Sequence, residues 1–286
     1  MQQQRSATGN SNFILFFLIG VGLVLLIFLF TCNTQKKSVA GTTTTTTVSP
    51  PLSIPSNIGL PQLMPSGNTI QHSGYTLSYN KQHKQPSWVA YLQTAQHTQT
   101  ATEVRLNGFD PDPLASFATA TDADYEGTGF DRGHMAPAED MAWSKATMQE
   151  SFYFTNICPQ QPAFNRGVWR RLENLLRYWS EAYDSVYIVT GPVLSNDLPT
   201  IGPHKVSVPS LFYKVVLHYN QKGTKAIGFV LSNVASAATL QTFAVSVDSV
   251  ERITGINFFD GLPDDVEERL ESRINANEWL WKKISK

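Results

Sequence analysis

The chain has 286 residues, 42% hydrophobic and 16% charged, ordinary values for a folded globular protein. Its formal net charge of −1 argues against tight coating of nucleic acid over a large surface, because such proteins are basic. That charge still permits an enzyme that grips phosphate in a local cationic cleft, and the two cysteines, Cys32 and Cys158, supply no disulfide framework.

Read from the N-terminus, residues 1–12 form a polar tail, and Phe13 to Phe30 is then an unbroken apolar run of 18 residues. As a helix it would extend about 27 Å, close to the thickness of a bilayer core. A transmembrane anchor is therefore expected over 13–31. A cleaved signal peptide is the competing reading, but Leu29-Phe30-Thr31-Cys32 is a poor cleavage or lipidation site. Arg5 before the run and Lys36 and Lys37 after it leave the flanking charge nearly balanced. The expected arrangement is a single-pass membrane protein with its large domain outside the cytoplasm.

Residues 32–66 read as a flexible linker, with threonine at every position from Thr42 to Thr47, followed by Pro50, Pro51, Pro55 and Pro61. Such a segment has too little apolar surface to fold alone. A single domain is expected over 67–286. Apolar alternation or short apolar runs predict strands at 75–79, 88–92, 186–190, 211–218 and 226–231. Trp169, Leu172, Leu176, Trp179 and Tyr183 recur at helical spacing and predict a helix over 166–183. Further helices are expected at about 237–250 and 264–274. Strands and helices do not alternate strictly, so the expected class is α+β.

The chemistry concentrates between residues 125 and 173. Gly127-Thr128-Gly129-Phe130-Asp131-Arg132-Gly133-His134 sets an arginine and a histidine on either side of one glycine. Arg132 can hold a phosphate through paired N–H groups, and His134 can exchange a proton near neutral pH. A structural histidine beside a turn would explain the same residues. Asn165 stands where a helix N-cap would be, a sufficient structural role. Its side-chain oxygen could equally ligate a hard cation. Glu173 follows eight residues later, roughly 12 Å along a continuous helix, too far to share one ion directly. Arg166, Arg170, Glu173 and Arg177 form one polar stripe, readable as a solvated face with ion pairs or as a cationic wall. The six histidines (His72, His83, His97, His134, His204 and His218) show no His-x-x-x-His spacing, which discounts a zinc hydrolase.

Asp131-Arg132-Gly133-His134-Met135-Ala136-Pro137 resembles the signature of the DNA/RNA non-specific endonucleases, a branch of the ββα-metal nucleases. Thr155-Asn156-Ile157-Cys158-Pro159-Gln160, then Phe164-Asn165 and Trp169-Arg170-Arg171-Leu172-Glu173, resembles the second motif of that family. Thr190-Gly191-Pro192 and Thr254-Gly255 resemble later landmarks, so the likeness spans roughly 70–280. It implies an α+β, ββα-metal nuclease fold, a central, mainly antiparallel sheet flanked by helices, here preceded by an N-terminal transmembrane helix. It implies cleavage of DNA and RNA with little sequence preference and Mg²⁺, or Mn²⁺ in its place. It assigns His134 as general base, Asn165 as the direct metal ligand, Glu173 as the holder of metal-bound water and Arg132 as a phosphate contact. Arg105 aligns more loosely with an upstream phosphate-binding arginine, and Arg170 belongs to the cationic wall. Asn156 is expected to orient the site, and Cys158 to fill a small buried space. A homodimer is compatible with the resemblance. The rival functions are a phosphodiesterase of the same fold acting on small or lipid-linked phosphates, and an inactive binding module tethered at a surface.

Overall fold

The computed structural model describes residues 57–62, 68–220, 223–274 and 276–281. Among these, seven strands form one sheet: β1 (Thr69–Gln71), β2 (Thr76–Asn80), β3 (Gln85–Thr94), β6 (Ser185–Pro192), β9 (Leu211–Asn220), β10 (Gly223–Ser232) and β11 (Ala244–Val245). They lie in the order β1-β2-β3-β6-β9-β10-β11, and each neighbouring pair is antiparallel. Two short ribbons stand apart, β4 (Asp131–His134) with β5 (Ile157–Gln160), and β7 (Thr200–Ile201) with β8 (Val206–Ser207). Helices α1 (Ala95–Gln99), α2 (Asp122–Tyr125), α3 (Lys145–Ser151), α4 (Arg170–Ala182), α5 (Val247–Thr254) and α6 (Asp264–Glu271) complete the element order.

Both faces of the sheet are covered, and this explains why its central strands are apolar almost without interruption. On β9, Phe212 and Val216 turn to the core beneath α4, where Leu172, Leu175, Leu176 and Trp179 pack. Tyr213, Val215 and Leu217 turn to the opposite core, closed by Val247 and Val250 of α5 and Leu270 of α6. The period-2 alternation of a strand thus feeds two separate cores from one sequence run. Residues 57–62 run along the second core, where Ile58 is buried, and the Gln62 N–H donates to the Asn257 carbonyl at 2.9 Å.

Three expectations need correction. The fold class paired this core with an N-terminal transmembrane helix. Among the described residues no helix is long and apolar enough to cross a membrane, and the expected span, 13–31, lies outside them. The helix expected over 166–183 is two pieces. A π-helical turn, Phe164–Trp169, precedes α4, and Gly167 leaves helical geometry at φ −105°, ψ −108°. Asn165 is consequently inside the turn and caps nothing; Ala163 holds the flanking position. The helix expected at 237–250 is displaced, because Ala244 and Val245 pair with β10 and Ser246 caps α5, its hydroxyl accepting from the Ser249 N–H at 3.2 Å. That helix ends at Gly255, which takes the left-handed φ of 69° that glycine adopts without strain.

Candidate active site

The β4–β5 ribbon presents the Arg-Gly-His segment. Gly133 stands opposite Cys158 and His134 opposite Ile157. A Cβ at 133 would lie 2.2 Å from Gln160 Oε1, so any residue other than glycine would force the buried Gln160 side chain to move. The chain leaving His134 is fastened by buried Asn156. Its Oδ1 accepts from the Ala136 N–H at 2.8 Å, and its Nδ2 donates to the carbonyls of Ala136 and Ser151 at 2.9 and 2.8 Å. Both donors of the amide and one acceptor site of its oxygen are spent on the backbone, so Asn156 fixes the loop.

One cleft of about 490 Å³ gathers every candidate site residue: Arg105, Arg132, His134, Asn165, Arg170 and Glu173 all line it. His134 is 7% exposed and lies against the rings of Phe152 and Phe109, centroids at 4.7 and 5.4 Å. Its Nε2 is buried and has no hydrogen-bond partner among the described residues. Burial, then the positive charge of Arg105, push its pKa down to about 3. The imidazole is therefore neutral at physiological pH, with a nitrogen free to accept a proton.

Three arginines supply positive charge. Arg105 is half exposed, reaches Glu139 at 3.5 Å and sits 5.3 Å above the Phe152 ring. Arg132 is anchored by Asp122 at 2.7 Å and by the rings of Tyr125 and Phe109. Arg170 lines the cleft from the first turn of α4. The other two arginines of the expected stripe are held by carboxylates, although Arg166 also lines the cleft. Arg166 makes a paired contact with Asp131 at 2.8 and 2.6 Å, and Arg177 pairs with buried Asp140.

Asp131 also accepts from Asn165 Nδ2 at 2.9 Å. With the amide nitrogen committed, the amide oxygen is the end of Asn165 left for a ligand. Glu173, 7% exposed, offers a carboxylate on the same cleft. Burial raises its pKa, while the charges of Lys214 and Arg177 pull it back. An amide oxygen and a carboxylate suit a hard divalent cation better than zinc or copper. Asn165 and Glu173 lie on either side of the break at Gly167, and both line the cleft. Cys158 is fully buried, and burial pushes its thiol up, as suits a space-filling residue.

Asp131, Asp140 and Lys214 were not anticipated. Asp131 was visible as part of the motif, but its partners, Asn165 and Arg166, lie more than thirty residues away in sequence. Lys214 had a signal, a lone charge in phase with Phe212 and Val216 in an apolar strand.

The burial of His134 has a consequence for stability. The unfolded histidine takes a proton near its ordinary pKa of about 6.5, while the folded one stays neutral to about 3. Between those values the unfolded state binds more protons, so stability falls as pH falls, by up to about 1.4 kcal/mol per pH unit from this residue. Urea denaturation of the metal-free protein at stepped pH should show that slope diminished in His134→Phe. Equal slopes in the two proteins would mean that the folded imidazole protonates freely.

Comparison with known proteins bears on the family and the fold. A family model described as DNA/RNA non-specific endonuclease matches residues 59–265. Nuclease C1 of Cunninghamella echinulata var. echinulata is 36% identical over 212 residues, 68% of this chain and 83% of that protein. Mitochondrial nuclease EXOG of Danio rerio is 34% identical over 207 residues, 67% of this chain and 60% of that protein. A crystal structure of an EndoG/EndoGI complex, addressed to the mechanism of EndoG inhibition, superposes with a TM-score of 0.62 at 31% identity. It covers 74% of this chain and 95% of that one.

Proposed function

The chain belongs to the DNA/RNA non-specific endonuclease family, and from that premise we propose that it hydrolyses DNA and RNA with His134 as general base and Mg²⁺ held through Asn165. The carrying observation is the neutral imidazole of His134 in one cleft with Arg105, Arg132, Arg170 and the amide of Asn165.

His134 takes the proton of an attacking water through its neutral imidazole. Its low basicity in the free protein comes second from Arg105. A substrate phosphate on Arg105 neutralises that charge, so the base strengthens when substrate is present. Arg105, Arg132 and Arg170 bind non-bridging phosphate oxygens and oppose the charge that grows toward the transition state. Asp131 holds the Asn165 amide nitrogen, which would leave the amide oxygen to hold the cation, and Glu173 would add a carboxylate from the same cleft. The cation, when bound, supplies Lewis-acid stabilisation of phosphate charge. These contacts read the backbone and leave the base edges unread, which accounts for low sequence preference. Mn²⁺ satisfies the same oxygen donors.

The test incubates the purified protein with supercoiled plasmid and with total RNA, with Mg²⁺ or EDTA. Metal-dependent loss of both substrates is the expected result; a folded, metal-loaded protein that cleaves neither would overturn the reading. The rival substrate, a small or lipid-linked phosphodiester, predicts no competition by duplex DNA.

Three phosphate-binding arginines set the salt dependence. A slope of about −2.7 in log affinity against log salt is expected for duplex DNA, a loss of about 40-fold between roughly 50 and 200 mM. Binding measured with the His134→Ala protein checks it, and Arg170→Ala should reduce the slope by about one. A slope unaltered by Arg170→Ala would remove that residue from the phosphate contacts.

A further inference from the structure

Asp248 and Glu251 of α5 and Glu271, the last residue of α6, bring one carboxylate oxygen each within 4.8 Å of one another. None of the three lines the cleft. Their helices cover the opposite face of the sheet, where Val247, Val250 and Leu270 close the second core. Asp248 and Glu251 are three residues apart on one helix, and like charges at that spacing repel.

Two of the carboxylates have local reasons to be where they are. Asp248 is in the first turn of α5, where a helix N-terminus favours negative charge. Glu251 Oε1 accepts from the Phe258 N–H at 2.8 Å and fastens the chain beyond the helix. Glu271 has no such reason. It is 4% exposed, and its Oε1 is buried with no hydrogen-bond partner among the described residues. It also ends α6, where the helix carbonyls leave partial negative charge. A carboxylate stripped of water, unpaired and beside two like charges is unfavourable. Arg252 and Arg269 are close in sequence, yet among the described residues no ion pair joins either of them to the cluster.

A cation shared by the three groups removes the conflict. Oxygens bound to one Ca²⁺ at about 2.3–2.6 Å lie at most about 5 Å apart, a limit that these three meet. The donors are all carboxylate, as a hard cation prefers. Ca²⁺ also accepts irregular shells more readily than Mg²⁺, which demands near-octahedral geometry.

We propose that Asp248, Glu251 and Glu271 form a second cation site, structural rather than catalytic, that takes Ca²⁺ and pins the end of α6 to α5. Water completes the coordination shell. The site is separate from the cleft, so its occupancy does not depend on cleavage.

The test titrates the full chain with Ca²⁺ by calorimetry in the Asn165→Ala background, which removes the ligand assigned to the catalytic metal, with and without Glu271→Gln. One Ca²⁺ per chain is expected to bind the parent. Glu271→Gln should weaken that binding at least about 100-fold, since loss of a partner one layer outside a metal site already costs about 10–100-fold. At free Ca²⁺ about 100 times Kd the melting temperature of the parent should rise by about 5–10 °C, and that of Glu271→Gln should stay where it is. In EDTA the Glu271→Gln protein should melt no lower than its parent, because the substitution removes an unpaired buried charge. Asp248→Asn, at a less buried position, is the second variant, and should weaken Ca²⁺ binding by a smaller factor. Absence of Ca²⁺ binding at roughly 10 mM, above the weakest natural range of about 10⁻⁴–10⁻³ M, overturns the proposal. An equal Ca²⁺ response with and without Glu271 overturns it too, and leaves a shared proton to balance the three carboxylates.

Discussion

His134→Ala is expected to lower kcat for plasmid cleavage by about 10²–10⁴-fold, the usual contribution of a positioned general base. KM should stay close to wild type, because the phosphate contacts assigned to Arg105, Arg132 and Arg170 survive the substitution. The loss should be confined to the chemical step, since an interaction made only in the transition state lowers kcat and kcat/KM together. The space left between Phe109 and Phe152 suggests a sharper check: added imidazole should restore part of the rate in His134→Ala and none in wild type. Cleavage within about threefold of wild type would remove His134 from the role of base.

Arg105 should behave differently. Its charge contributes to the low basicity of His134, and its guanidinium also stands over the Phe152 ring that packs on the imidazole. Substrate binding and base strength are thus linked through one exposed side chain. A phosphate that satisfies Arg105 releases its hold on His134 in the same event. The neutral histidine of the free protein is accordingly a resting state that avoids a buried positive charge beside an arginine.

Sequence patterning reached the sheet because the physics there is local. Residues 186–190 and 211–218 are apolar on alternate and adjacent positions alike, as strands covered on both faces must be. The Arg-Gly-His segment was legible for a related reason, since its three residues are consecutive and its glycine is fixed by the neighbouring Gln160. Distance across the site was not legible. The spacing of Asn165 and Glu173 assumes a straight helix, whereas Gly167 breaks the helix between them without any large change in composition. A glycine within an otherwise helical pattern was the available warning. Capping chemistry misled in the same place: asparagine before a helix satisfies the N-cap preference, yet here Asp131 claims its amide from another element. Long-range charge pairing had no local signature, so Arg177 with Asp140 and Arg166 with Asp131 appeared in the sequence only as members of a stripe.

The Asp131 contact leads to the second large effect, which concerns the metal. Asn165→Ala removes the only donor assigned to direct ligation, and cleavage at a fixed Mg²⁺ concentration is expected to fall at least about 100-fold. Loss of a partner one shell farther out already lowers metal affinity or activity by about 10–100-fold, and that smaller range is the expectation for Asp131→Ala. Arg166 shares Asp131 but its side chain is 70% exposed, and exposed ion pairs contribute little. Arg166→Ala should therefore leave the metal requirement nearly unchanged. EDTA should abolish wild-type activity and Mg²⁺ restore it, and calorimetric titration of each protein with Mn²⁺ alone separates metal binding from turnover. The ordering wild type, Arg166→Ala, Asp131→Ala, Asn165→Ala in rising metal requirement is the expected result. Wild-type metal affinity in Asn165→Ala would detach the amide from the metal. If instead Asp131→Ala matched wild type while Asn165→Ala did not, the amide would bind the cation without being oriented by its neighbour, and the charge of Asp131 would serve only to fasten Arg166.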